Sequence, residues 1–206
     1  MTKACITAAS IFAASAAFAE TINFDGDSPG GLPVGWEQGV TGKGNPKWAV
    51  RADAGAPSKP NVLEQSGSGT FPWCVLRKTS MENGFVEVRF KPISGREDAS
   101  GGIVFRFAEG RYYLIRANAL EDNFRFYYYD RSRSMLSSAR VRAPALGEWH
   151  TVRAVAVGDR VQGWLDGTLL LNYRDQRFKA GRVGLWTKAD SITAFDQFSI
   201  RGIAAV

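Results

Sequence analysis

Four arginines, Arg77, Arg106, Arg116 and Arg125, stand in four separate stretches of apolar sequence, and a single carboxylate, Glu87, stands in a fifth. A guanidinium donates hydrogen bonds in a fixed planar fork, and a carboxylate accepts them or takes up a proton. If these stretches fold side by side, the set makes a polar floor for a sugar, with the arginines on hydroxyl oxygens and Glu87 as acceptor or base. The same residues also suit a solvated strand face on which cross-strand charge pairs steady the pairing. Around Arg125 the chain reads FRFYYYDR, residues 124 to 131. Aromatic rings stack on pyranose faces, and they also pack cores. Two more residues join the candidate binding set. Tyr127 shares a strand face with Arg125, and Trp164 lies between Gln162 and Asp166 on the polar side of its run.

The elements that position these residues are strands. From Thr21 onward almost nothing repeats with helical spacing. Runs of roughly five to ten residues alternate apolar and polar, and each ends in Gly, Pro, Asn, Asp or Ser. Glu109-Gly110, Gly158-Asp159 and Asp166-Gly167 sit between runs as tight hairpin turns. Strands at this spacing predict an all-β sandwich or barrel. Residues 26 to 46, rich in Gly and Pro, read as a long loop passing Trp36. Because successive side chains point to opposite faces, Phe124, Phe126 and Tyr128 are expected in the core, with Arg125, Tyr127 and Tyr129 facing the other way. Likewise Tyr112, Leu114 and Arg116 oppose Tyr113, Ile115 and Ala117, and Ile103, Phe105 and Phe107 oppose Val104 and Arg106.

Composition bounds the function classes. The chain has 206 residues and a formal net charge of +6. Residues 1–19 carry Lys3, an Ala-rich apolar run and then Ala17-Phe18-Ala19, the layout of a secretory signal peptide cleaved after Ala19. Residues 20–206 are then a single exported domain, periplasmic or secreted, with no membrane span. Its only cysteine would be Cys74, expected as a buried thiol, so a hydrophobic core rather than disulfides must hold the fold. The basic residues are spread rather than clustered, which argues against nucleic acid and leaves anionic glycans open as partners. His150 is the single histidine, and with no marked nucleophile beside it no triad is indicated.

The segments CVLRK, GFVEVRFKPISG, GGIVFRF, RYYLIRAN, GEWHTVRAVAVGDRVQGWLDG, AGRVGLWTK and FDQFSI follow one another in an order that resembles a concanavalin A-like, laminin-G-like jelly roll. Within that group the chain is most similar to bacterial exported domains described as 3-keto-disaccharide hydrolase-like. The resemblance spans about residues 22 to 201. It implies two antiparallel sheets with an oligosaccharide or glycoside bound on the concave side. It also implies that a 3-keto-glycoside could be cleaved by elimination, with Glu87 as base and Arg106 and Arg116 holding the enolate. A non-catalytic lectin-like module for envelope glycan or a partner protein is the alternative. The resemblance has one departure. Family-sixteen glycoside hydrolases of this fold carry an E-x-D-x(-x)-E strand motif, and this sequence has none, so paired-carboxylate retaining chemistry is not expected. No cofactor is required by this reading. Asp25, Asp27 and Asp196 lie near the two ends of the chain, which are often adjacent in this fold, and are candidates for a structural calcium site. Nothing in the sequence specifies the oligomeric state.

Overall fold

The computed structural model describes residues 19–202, so the segment read as a signal peptide lies almost wholly outside the described residues. Fifteen strands, numbered in chain order, form two antiparallel sheets. The first sheet runs β13 (Thr168–Arg174), β12 (Arg160–Leu165), β11 (His150–Val157), β6 (Gly84–Ser94), β15 (Ile192–Gly202), β4 (Asn61–Gln65) and β3 (Trp48–Ala52). β1 (Ala19–Ile22) pairs with the far half of β15, beyond a break in register at Asp196. The second sheet runs β10 (Ser132–Arg140), β9 (Asn123–Asp130), β8 (Arg111–Asn118), β7 (Ser100–Ala108), β14 (Arg182–Trp186), β5 (Ser68–Leu76) and β2 (Trp36–Asn45).

Between the sheets lies the main core. β6 sends in Val86, Val88 and Phe90, and β11 sends Val152, Ala154 and Ala156. From the second sheet come Ile103, Phe105, Tyr113, Ile115, Phe124 and Phe126. The alternation expected for β8 and β9 is what the structure shows. Cys74 is a free, buried thiol on the core side, and burial pushes its pKa well up. Small residues are required where the layers meet closely. A side chain at Gly101 would collide with the Phe90 ring, since Gly101 faces it across the core. The three expected hairpins are present. Glu109 and Gly110 both take positive φ, as do Asp166 and Gly167, which matches the right-handed twist of the flanking strands.

Two expectations are corrected. The stretch read as one loop, 26 to 46, contains β2, an edge strand of ten residues. Its Gly39, Gly42 and Gly44 hide the alternation, but each answers a local need. Gly39 lies under the Trp73 ring, while Gly42 and Gly44 take φ of 94° and 130° at a register break against β5. Second, Phe107 does not share a face with Ile103 and Phe105. Arg106 adopts φ 50° in a bulge between Phe105 and Ala108, so the strand shifts phase and Phe107 joins Val104 on the outer side.

Candidate functional site

The outer face of the second sheet carries its own apolar cluster, which solvated strand faces do not need. Val75, Val104, Leu114, Phe107, Tyr112, Tyr127 and Trp186 are all buried there, and Phe71, Trp73 and Tyr129 lie half-buried over them. Cross-strand register makes this a continuous aromatic surface. Tyr112 stands opposite Tyr129 with rings 5.4 Å apart and nearly parallel, and Phe107 stacks on Tyr112 at 5.3 Å. Trp73 tilts against Phe107 at 4.8 Å, while Phe71 stacks on Trp186 at 5.6 Å and meets Tyr129 edge-on. Burial drives the Tyr112 hydroxyl up to about 12, partly offset by its hydrogen bond with Thr41, so it stays a neutral donor.

Charged groups gather along this surface. Arg116 and Arg125 are direct cross-strand partners, an arrangement that like charges disfavour. Glu121, in the turn between β8 and β9, offsets it. Its Oε2 accepts from Arg116 Nη2 at 2.9 Å, from Asn123 Nδ2 at 2.9 Å, and lies 3.6 Å from Arg125 Nη1. Arg116 fits because its strand partner is Gly102, where any Cβ would press on the Arg116 backbone and side chain. At the end of β14, Lys188 donates to Asp98 at 3.0 Å, and Asp98 also accepts from Asn118 and Ser191. The loop holding Asp98 is clamped by Asp190, whose carboxylate accepts the backbone N–H groups of Arg96, Glu97 and Asp98. Arg182 pairs with Glu37 at 2.7 Å above Phe107. Arg133 lies over the rings of Phe71 and Tyr127. Among the described residues, Arg116 Nε, Arg125 Nε and Arg133 Nη1 are buried without a hydrogen-bond partner.

Glu121 gives this site a pH signature. Burial raises its pKa, but hydrogen bonds from Asn123 and Arg116 and the two guanidinium charges outweigh burial and hold it at about 2, below its ordinary 4.5. A depressed carboxylate contributes stability that is complete above its unfolded pKa and is lost as pH falls through the folded one. Replacing Glu121 with Gln is therefore expected to flatten the loss of stability between about pH 4.5 and 2. Acid titrations followed by circular dichroism on both proteins measure it, and parallel curves would contradict it.

The sequence candidates divide among four places. Arg116, Arg125 and Tyr127 come together here, with the Tyr127 hydroxyl 3.4 Å from Arg116 Nη2 and 3.3 Å from Arg125 Nη1. Glu87 and Trp164 share the outer face of the opposite sheet. Arg153 is the strand partner of both, and its Nε donates to Glu87 Oε2 at 2.6 Å. Arg106 serves the fold: its buried guanidinium donates to the backbone carbonyls of Glu82, Phe178 and Gly158. Arg77 is exposed just past β5. Glu87 therefore does not meet Arg106 and Arg116 in one cluster. Trp186 is buried, but on this outer face and not between the sheets. Sequence reading missed Phe71, Trp73, Asp98, Lys188 and above all Arg133. The signal was present in Arg133 and Met135 alternating beyond Arg131, a non-glycine turn residue at φ 62°.

The oxygens considered for calcium are engaged from within the chain. Asp196 accepts from the backbone and hydroxyl of Ser58 and from the Gln197 N–H. Asp25 and Asp27 accept backbone N–H groups of Asn61 and Val34, and the Asn61 amide reaches the carbonyls of Phe24, Asp25 and Asp27. Among the described residues no three of His, Cys, Asp or Glu are grouped to hold a metal ion.

Two stacked antiparallel sheets in this order make a concanavalin A-like jelly-roll sandwich. The chain belongs to the 3-keto-alpha-glucoside-1,2-lyase-like domain family, whose model matches residues 21–201. Similar solved structures include carbohydrate binding module CBM66 from Bacillus subtilis, with a TM-score of 0.66 and 18% identity over 80% of this chain and 94% of that one. A β-1,3-1,4-glucanase (lichenase) derived from a mouse hindgut metagenome follows at 0.57 and 15%, over 90% and 98% of the two chains. The Bacillus licheniformis β-glucanase aligns at 0.52 and 13%, over 91% and 98%. No curated protein matches the sequence.

Proposed function

We propose that the outer face of the second sheet binds a saccharide and that the protein is a carbohydrate-recognition domain. One observation carries this reading: half-buried Phe71, Trp73 and Tyr129 lie on a packed aromatic tier bordered by the half-exposed arginines Arg125 and Arg133. A sugar offers an apolar C–H face and a rim of oxygen acceptors, and this surface complements both. The family's description as a lyase-like domain and the likeness of the fold to a carbohydrate binding module and a glucanase support the same class of ligand. A thermal-shift screen against neutral, anionic and 3-keto oligosaccharides tests it. At least one saccharide is expected to raise the melting temperature by mass action, and a flat response across the panel would contradict the proposal.

Elimination from a 3-keto-glycoside is the second reading, and the family match favours it. It requires a base placed at the acidified C–H bond. On this face Asp98 is engaged by Lys188, Asn118 and Ser191, and Glu121 is held at about 2, where a carboxylate is a weak base. The geometry therefore favours binding over turnover. Glu87, the base expected from sequence, lies across the sandwich, so Glu87→Gln is expected to change saccharide affinity less than about two-fold, within the scatter of remote substitutions. A larger loss, measured by titration calorimetry, would move the site to the first sheet.

Export belongs to the same proposal. The apolar segment ending Ala17-Phe18-Ala19 supports a domain working outside the cytoplasm. Recovery of the expressed protein from the periplasm with Glu20 as its first residue is the expected result.

A further inference from the structure

Among the described residues, the three carboxylates that border the aromatic cluster of the second sheet are engaged. Glu37 pairs with Arg182, Asp98 with Lys188, and Glu121 is shared by Arg116 and Arg125. These four cations share three carboxylates, and Arg133, the fifth cation packed against the aromatic cluster, has none. Its guanidinium carbon lies 4.6 Å from the Tyr127 ring centre, 4.7 Å from that of Phe71 and 6.0 Å from that of Trp186. Among the described residues it has no ion pair, and its Nη1 is buried with no acceptor. Burial holds its pKa below the ordinary arginine value; the nearby charge of Arg116 pushes the same way and that of Asp98 opposes it. Ring contacts reward a guanidinium through its face, by about 0.5–2 kcal/mol. They leave the in-plane N–H groups unanswered, and these are the groups that grip a carboxylate in a two-pronged pair. In register, Arg133 stands directly opposite Tyr129, whose ring meets that of Phe71. Arg133 is half-exposed as a residue, so part of its guanidinium lies within reach of a ligand beside the rings on which a pyranose would stack.

We propose that Arg133 is the subsite for the carboxylate of an acidic sugar, so that the glycan recognised by this face contains uronic acid. The proposal rests on the reading of this face as a saccharide site and names its ligand class. The rings take the apolar face of the sugar, Arg133 takes the carboxylate, and Arg125 and Arg116 add positive potential around it. The formal charge of +6 over the whole chain favours approach of a polyanion.

Titration calorimetry on the intact domain tests this with trisaccharides of galacturonate, glucuronate, mannuronate and guluronate, each beside its neutral methyl ester. Neutral gluco-oligosaccharides complete the panel. The expected result is that at least one acid binds about ten-fold or more tightly than its ester, as a lost charge-assisted pair predicts, and that added salt erodes the difference. Arg133→Gln should remove the preference while its thermal unfolding stays cooperative. The acid-to-ester comparison on the unaltered protein needs no variant, so a folding defect cannot mask the answer. Equal binding of acid and ester, a preference that survives Arg133→Gln, or binding of neutral sugars alone would overturn the uronate assignment and leave the saccharide site standing. Binding of no saccharide at all would overturn both.

Discussion

Replacing Arg106 with alanine is expected to lower stability by about 3 kcal/mol. The side chain is 1% exposed and donates to three backbone carbonyls from three different loops, Glu82, Gly158 and Phe178, at 2.8 Å each. A hydrogen bond to a charged group is worth about 1.5–3 kcal/mol, and a buried acceptor left without a donor costs about 1–3 kcal/mol. The three are not additive, because they share one head group. In a domain of this size each kcal/mol moves the melting temperature by about 2–4 °C, so a drop of roughly 6–12 °C is expected. Lysine should recover little, since a single ammonium cannot reach carbonyls on three sides. A calorimetric shift below about 2 °C would show that Arg106 is not the tie between these loops. The bulge explains why such a residue sits amid an apolar strand: the φ of 50° turns its side chain to the loops at the sheet's end.

Alanine in place of Phe71 or Trp73 is expected to weaken saccharide binding by about ten- to thirty-fold, in line with loss of an aromatic anchor worth roughly 1.5–2 kcal/mol. The two rings are half-buried, and their exposed parts are where a ligand can stack. Phe71 also supports Arg133 and lies against Trp186, so its loss should blur any acid preference as well as weaken binding. Trp73 offers a cleaner probe because Gly39 lies beneath it. Gly39→Ala leaves the indole present but pushes it outward, and should reproduce part of the Trp73→Ala loss. Unchanged affinity in both Phe71→Ala and Trp73→Ala, with native-like unfolding, would remove the aromatic surface from the site.

Local alternation carried most of the architecture. NVLEQ, RYYLIRAN and NFRFYYYD are strands with the bounds their turns suggest, and Tyr112, Leu114, Arg116, Arg125 and Tyr127 face outward together. What alternation could not supply is which strands are neighbours. Arg106, Arg116 and Glu87 each looked like a polar residue on an apolar strand. Their fates diverge because β6 pairs within one sheet while β7 and β8 pair within the other. The bulge at Arg106 shifted phase without any Gly or Pro to announce it, and the glycines of β2 masked a real strand. Asp98 and Lys188 are ninety residues apart in sequence, and only the folded loops bring them to one edge. Arg133 was hidden by a different effect. Its hairpin turns on Arg131, which takes a left-handed φ usually left to glycine or asparagine.

The central claim is that a saccharide sits on the outer face of the second sheet. Side-chain 1H–15N correlation spectra measure this directly, because Trp73 Nε1, Trp186 Nε1 and the Nε groups of Arg116 and Arg125 report from within that face. Titrating the domain with the best saccharide from the binding panel should shift these resonances and leave those of Trp164 Nε1 and Arg153 Nε unmoved. Shifts confined to Trp164 and Arg153 would place the ligand on the opposite sheet and contradict the account.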